Sequence, residues 1–227
     1  MFGLDNALAS LSDGTTFLVV ILVAVALGLR HATDPDHLTA VSTLVASGRE
    51  RPRVLAARLG LIWGAGHAVS LFAFGLPIVL YRAYLPEPVQ RATETSVGFL
   101  IVLLAVALLV RWHRGAFHPH AHTHARGRSG WQAFVIGLVH GAGGSAGVGV
   151  LLLATIRDHL LATAALGVFA LFTALSMALL STGVGATLGT DAARRSFHRI
   201  APAIGALSLA FGAWYSLGAQ GFIPYVL

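Results

Sequence analysis

Residues 15–48 read TTFLVVILVAVALGLRHATDPDHLTAVSTLVASG, a hydrophobic run long enough to cross a bilayer that carries Arg30, His31, Asp34, Asp36 and His37 near its middle. An Asp or Arg at the centre of a spanning helix costs about 2.5 to 3.5 kcal/mol on insertion scales, so charged groups persist there mainly where a site needs them. Two carboxylates, two imidazoles and a guanidinium between positions 30 and 37 mark this stretch as the functional centre of the chain.

The spacing within HATDPDH carries a geometric problem. In a straight helix His31 and His37 lie about 9 Å apart along the axis and about 120° apart around it, too far to chelate one small ion. Pro35 offers a solution. It lacks an amide hydrogen and its ring clashes with the carbonyl four residues earlier, that of His31, so the helix is expected to break there. Such a break is tolerated at membrane depth where it is buried in protein or lines a cavity. Unwinding would draw His31, Asp34, Asp36 and His37 together and free the His31 carbonyl as a further donor. Imidazole with carboxylate suits Ni, Co, Zn or Cu better than Mg or Ca.

The whole chain fits a membrane setting. Of 227 residues 56% are hydrophobic and only 11% charged, against about 25% charged in soluble domains, and the mean hydropathy is +0.77. There is no cysteine, so disulfides and thiolate ligands are excluded. The N-terminal MFGLDNALASLSDG has no basic residue, so the first run is expected to stay as a membrane helix and not to act as a cleaved signal. Six segments are long and apolar: about 15–47, 57–82, 93–112, 131–156, 160–189 and 199–222.

The formal charge of +6 does not point to nucleic acid, because the arginines segregate by loop. Leaving aside Arg30, alternate loops hold Arg49, Arg51, Arg53, Arg58, Arg111, Arg114, Arg126, Arg128, Arg194, Arg195 and Arg199, whereas the opposite face holds only Arg82, Arg91 and Arg157. By the positive-inside rule both termini then lie outside and the loop HRGAFHPHAHTHARGRSG is cytoplasmic. Trp112 and Trp131 bracket that loop, with Tyr81, Tyr84 and Tyr225 near the other face, as interfacial belts require.

Gly28-Leu29-Arg30-His31 is echoed by Gly137-Leu138-Val139-His140, 109 residues later. Each half then contains three helices, an odd number, so the halves are expected to be inverted repeats, the build of many secondary transporters. The expected fold is all-α: a single transmembrane domain of six helices in two inverted three-helix repeats (about 15–112 and 131–222, joined by the loop 113–130), the first helix broken at Pro35.

Further donors lie on other helices. Gly66-His67 in LIWGAGHAVSLF and His140 in GLVHGAGGSAGVGV are candidate metal ligands, His140 equally as a hydrogen-bond partner of one, against the plain alternative that each is a buried packing histidine. Glycines 137, 141, 143, 144 and 147 read first as close helix packing and second as an ion path. In the loop, His118, His120, His122 and His124 fall on one side of an extended chain, suited to transient metal capture or simply solvated.

The motif H-x4-D-H, here His31 to Asp36-His37 within RHATDPDHLTAV, resembles the signature of the nickel/cobalt transporters (the NiCoT family within the NicO superfamily). Gly66-His67 matches the family's Gly-His motif in the following helix, and the short layout with GLVHGAGGSAG resembles the urease-accessory nickel permeases. Longer members carry further helices and an acidic FDTATE-like motif, where this chain has His140-Gly141 and no acid. The resemblance implies that His31, Asp36 and His37 are required for transport, with Ni²⁺ or Co²⁺ as cargo and no resident cofactor.

The expected function is therefore a non-enzymatic secondary permease of the cytoplasmic (inner) membrane, taking up Ni²⁺, with Co²⁺ as second candidate. The chain contains no lysine, hence no P-loop, so the driving force is an ion gradient or the membrane potential. Alternatives are metal efflux, a membrane metalloenzyme, and a non-transporting assembly or sensor subunit. Against an enzyme of the di-iron kind stands the scarcity of intramembrane carboxylates, since Glu50, Glu87 and Glu94 all fall in expected loops. The expected partners are a divalent transition-metal ion and the lipid bilayer, with no nucleic acid; an oligomeric partner is left open.

Overall fold

A computed structural model of the chain describes residues 2–45, 52–82, 85–115, 129–143, 146–188 and 190–224. Among these all regular structure is helical: α1 (Phe2–His31), α2 (Pro35–Val45), α3 (Pro52–Tyr81), α4 (Glu87–His113), α5 (Gly130–Gly141), α6 (Ala146–Ala154), α7 (His159–Leu188) and α8 (Asp191–Ala219). Four of them, over Val54–Tyr81, Glu87–His113, His159–Thr187 and His198–Ala219, are long and apolar enough to cross a membrane alone. Phe17–His31 with Pro35–Val41 passes the same test as one span bent by 51°. The segment expected over 131–156 is divided into α5 and α6, of 12 and 9 residues. Each alone falls short of the roughly 20 residues a span needs.

Several helices extend beyond the apolar segments that announce them. α4 begins at Glu87 and not near 93, because Pro86 and Pro88 sit at its cap and first turn, where no amide hydrogen is needed. An Arg91–Glu87 ion pair spans that turn. α8 begins at Asp191, so much of TDAARRSFHR is helical. Ser129 and Gln132 form a reciprocal capping box that starts α5.

The most extensive packing joins α3 to α7, α4 to α8, α3 to α5 and α1 to α7. α3 is thus enclosed between α5 and α7. Close approach requires glycine at this crossing. A Cβ on Gly137 would overlap the Trp63 carbonyl, one on Gly141 the His67 carbonyl, and one on Gly66 the Phe134 carbonyl. Two apolar clusters flank the middle of the bundle. One gathers Leu71, Val150, Leu153, Leu166 and Phe169; the other gathers Ala32, Val41, Leu59, Trp63, Leu104 and Met177. The polar residues described next lie between them.

Candidate metal centre

His31 is the last residue of α1 and Pro35 the first of α2. The three residues between them form a tight turn, in which Thr33 N donates to the Arg30 carbonyl at 2.9 Å and Asp34 N to the His31 carbonyl at 3.1 Å. The interruption expected at Pro35 is present, but the expectation of an unwound stretch with a free His31 carbonyl is corrected. Pro35 restarts the helix from its first position, and the preceding residues close the gap with short-range bonds of the 3₁₀ type. His31 therefore offers its ring, while its carbonyl already accepts a backbone hydrogen bond.

The turn, α3 and α5 bring six polar side chains to one place. His31, Asp34, Asp36, His37, His67 and His140 are all buried, none more than 6% exposed. His37 is central, its ring centroid 4.6 Å from that of His31, 5.0 Å from His67 and 4.5 Å from His140. Phe169 closes the cluster beside His31, with centroids 5.8 Å apart. Trp63, one turn before His67 on α3, lies 5.7 Å from His37 and 5.8 Å from His140. Neither aromatic was singled out from the sequence, although a Trp four residues before a buried histidine on one helix face is a legible signal.

Two overlapping sets of donors share His37. His31, His37 and His67 form one, Asp36, His37 and His140 the other, and in each the ligand atoms all lie within 4.8 Å of one another. The Nε2 atoms of His31 and His67 are 3.2 Å apart. Two nitrogens bound at 2.0–2.1 Å to one metal are separated by about 2.9 Å at a right angle and about 3.4 Å at the tetrahedral angle. The observed spacing falls inside that range, so this pair can hold one cation with little movement.

The carboxylates set which nitrogens carry hydrogen. Asp36 Oδ1 accepts from His37 Nδ1 at 3.0 Å and from the His37 backbone N–H at 3.0 Å, and Asp36 Oδ2 accepts from His140 Nε2 at 3.2 Å. An ionised carboxylate only accepts, so these ring nitrogens are the protonated ones and the opposite nitrogens present lone pairs. Asp34 Oδ2 does the same for His31, 3.1 Å from Nδ1, leaving Nε2 as the lone-pair atom. Carboxylate–histidine pairs of this kind fix ring orientation and raise ligand basicity in metal sites. His37 Nε2, His67 Nδ1 and His140 Nδ1 have no hydrogen-bond partner among the described residues, and a bound cation would satisfy the lone pairs of His37 Nε2 and His140 Nδ1.

The sequence-expected residues thus fall into distinct places. His31, Asp36, His37, His67 and His140 all belong to a potential donor set, whereas Asp34 stands behind His31 in neither. Arg30 lies 3.6 Å from Asp34 with its side chain 70% exposed, consistent with a neutralising role towards that carboxylate. His118, His120, His122 and His124, like Tyr84 and Tyr225, lie outside the described residues.

Over 213 residues the chain is 27% identical to the urease accessory protein UreH of Bacillus sp. (strain TB-90), a likeness that covers 89% of this chain and 92% of that protein. It is near full length. A second similarity, 29% identical over 123 residues, is to the chloroplast protein FOR GROWTH AND FERTILITY 2 of Arabidopsis thaliana, and spans 50% of this chain and 32% of that one. No family model matches the chain, and no solved structure does.

Proposed function

We propose that this chain is a multi-pass permease of the cytoplasmic membrane that takes up Ni²⁺, with Co²⁺ as an alternative cargo, and performs no enzymatic step. The observation that carries the reading is the buried set of imidazoles, His31, His37 and His67, assembled at a break in a membrane span, with His31 oriented by Asp34 and His37 by Asp36. His140 is the fourth imidazole, joined to the set through Asp36. Nitrogen-rich donors favour late first-row divalent metals over Mg²⁺ or Ca²⁺. The likeness to a urease accessory protein supports the same reading, since it joins a nickel-type donor set to a protein named for urease.

Two inverted halves supply the means of movement. The halves are α1 to α4 and α5 to α8, six spans when α1 with α2 and α5 with α6 each count as one. Exchanging the halves leaves the main packing scheme unchanged: α3 with α7 and α4 with α8 map onto themselves, and α1 with α7 maps onto α5 with α3. His31 and His140 then occupy equivalent positions just before equivalent breaks. In inverted-repeat transporters the cargo site lies at such broken helices near the midplane, and rocking of one half against the other exposes it to alternate faces.

With the arginine-rich loops inside, inward movement of a divalent cation gains about 4.6 kcal/mol per 100 mV, twice the figure for one charge. The test is Ni²⁺ flux into proteoliposomes under an inside-negative potential. The intact chain accumulates Ni²⁺ and His37→Ala does not; equal fluxes for the two, or none for either, would overturn the proposal. Accumulation by everted vesicles, with no uptake by right-side-out ones, would reverse the direction.

A further inference from the structure

A cavity of about 110 Å³ lies between α3, α4, α6 and the end of α5. Its wall includes Leu71, Gly75, Glu94, Gly141 and Gly143. At its inner end it comes to the immediate neighbours of two of the site histidines. Gly141 follows His140 and is wedged against the His67 backbone, and Leu71 is one helical turn beyond His67. At its outer end stand Gln90, which is exposed, and Glu94, which is half-buried. Glu94 escapes a sequence reading because it falls in an expected loop; the early start of α4 turns it onto the cavity.

Glu94 is an unusual carboxylate. Gln90 Nε2 donates to its Oε1 at 3.0 Å, and among the described residues no cation pairs with it. The neighbouring Glu87, by contrast, is paired with Arg91. Gly143 packs so closely on the Thr93–Glu94 backbone that a Cβ there would lie 2.8 Å from Thr93 C. The carboxylate is thereby held beside the α5–α6 break.

We infer that Glu94 is a recruiting site for hydrated divalent transition-metal cations at the mouth of the path to His67 and His140. A single negative charge in a low-dielectric cleft focuses the field and raises the local concentration of the oppositely charged substrate. This rests on the transport reading above and on the α3–α4 face being the outer one. The site acts on capture, so it affects KM and spares the later rearrangement that limits kcat.

The test is the initial rate of radioactive Ni²⁺ uptake by cells expressing the full chain, Glu94→Gln or Glu94→Asp, normalised to the amount of protein in the membrane. The glutamine keeps the length of the side chain and an oxygen for Gln90. It should raise KM about 10-fold with kcat within twofold, the low end of what electrostatic focusing supplies. The difference should shrink at higher ionic strength, and the aspartate should restore at least half of it. Unchanged KM in Glu94→Gln, or a fall in kcat alone, overturns the inference while wild-type uptake leaves the transport reading standing. Absence of uptake by the wild type overturns both.

Discussion

Asp36 and Asp34 make a paired experiment, because Asp36 accepts from two imidazoles and a backbone N–H, whereas Asp34 faces the ring of His31. In Asp36→Asn the side chain keeps its size but retains a single acceptor. If the amide oxygen stays with His37, the new NH₂ meets His140 Nε2, which must lose its hydrogen and move its lone pair away from the cluster. In the opposite orientation the NH₂ faces both the His37 backbone N–H and Nδ1, and the central ligand loses its Nε2 lone pair. Either arrangement also removes a buried negative charge beside the cation. Loss of such a partner typically costs 10- to 100-fold in metal affinity, about 1.4 to 2.7 kcal/mol, and Asp36→Asn should lie at the upper end.

Asp34→Asn differs. Its amide oxygen can still accept from His31 Nδ1, and the pairing it weakens with the exposed Arg30 at 3.6 Å is worth about 1 kcal/mol or less. Its affinity should fall by about tenfold at most. The assay is calorimetric titration of Ni²⁺ into each purified variant in detergent, with metal-free thermal unfolding to show that the fold persists. An Asp36→Asn affinity within threefold of wild type, or an Asp34→Asn loss as large as that of Asp36→Asn, would refute the assignment of hydrogens derived from the geometry.

Three further outcomes are expected. Saturating Ni²⁺ at 100 times Kd should add about 2.7 kcal/mol to the folded state, read as a rise in Tm that His37→Ala abolishes. Gly141→Ala, whose methyl would overlap the His67 carbonyl, should destabilise the protein by about 1 to 3 kcal/mol, whereas Gly183→Ala, with nothing within 4 Å of the added carbon, should be neutral or stabilising by up to about 1 kcal/mol; the thermal midpoints of the two variants in detergent decide it. Deleting residues 118–124 should change the affinity or sensitivity for metal in flux assays without abolishing transport.

The hydrophobic runs were sufficient to locate the apolar helical stretches, because burial in lipid or protein demands apolar length, but they did not show that 131–156 is divided into α5 and α6. They were poor guides to where helices begin. α1, α4 and α8 extend into polar sequence at Phe2, Glu87 and Asp191, where hydropathy says nothing; at α4 the prolines of the cap and first turn and the Glu87–Arg91 pair account for the start. The meeting of His31, His37, His67 and His140 was readable from the cost of polar groups at depth and from their glycine neighbours. The role of Asp34 behind His31 was not, since it depends on a turn only three residues long, and the cavity beside Glu94 depends on how two helices and a break come together in space.

The three imidazoles of the first donor set come from three separate helices: His31 ends α1, His37 lies in the first turn of α2, and His67 is in the middle of α3. A cation bound by all of them fastens both sides of the 51° bend to the helix at the heart of the bundle. On the transport reading proposed above, the joint would be stiff with the cargo aboard and loose once it had left, so that recognition and immobilisation of the hinge would be one and the same event.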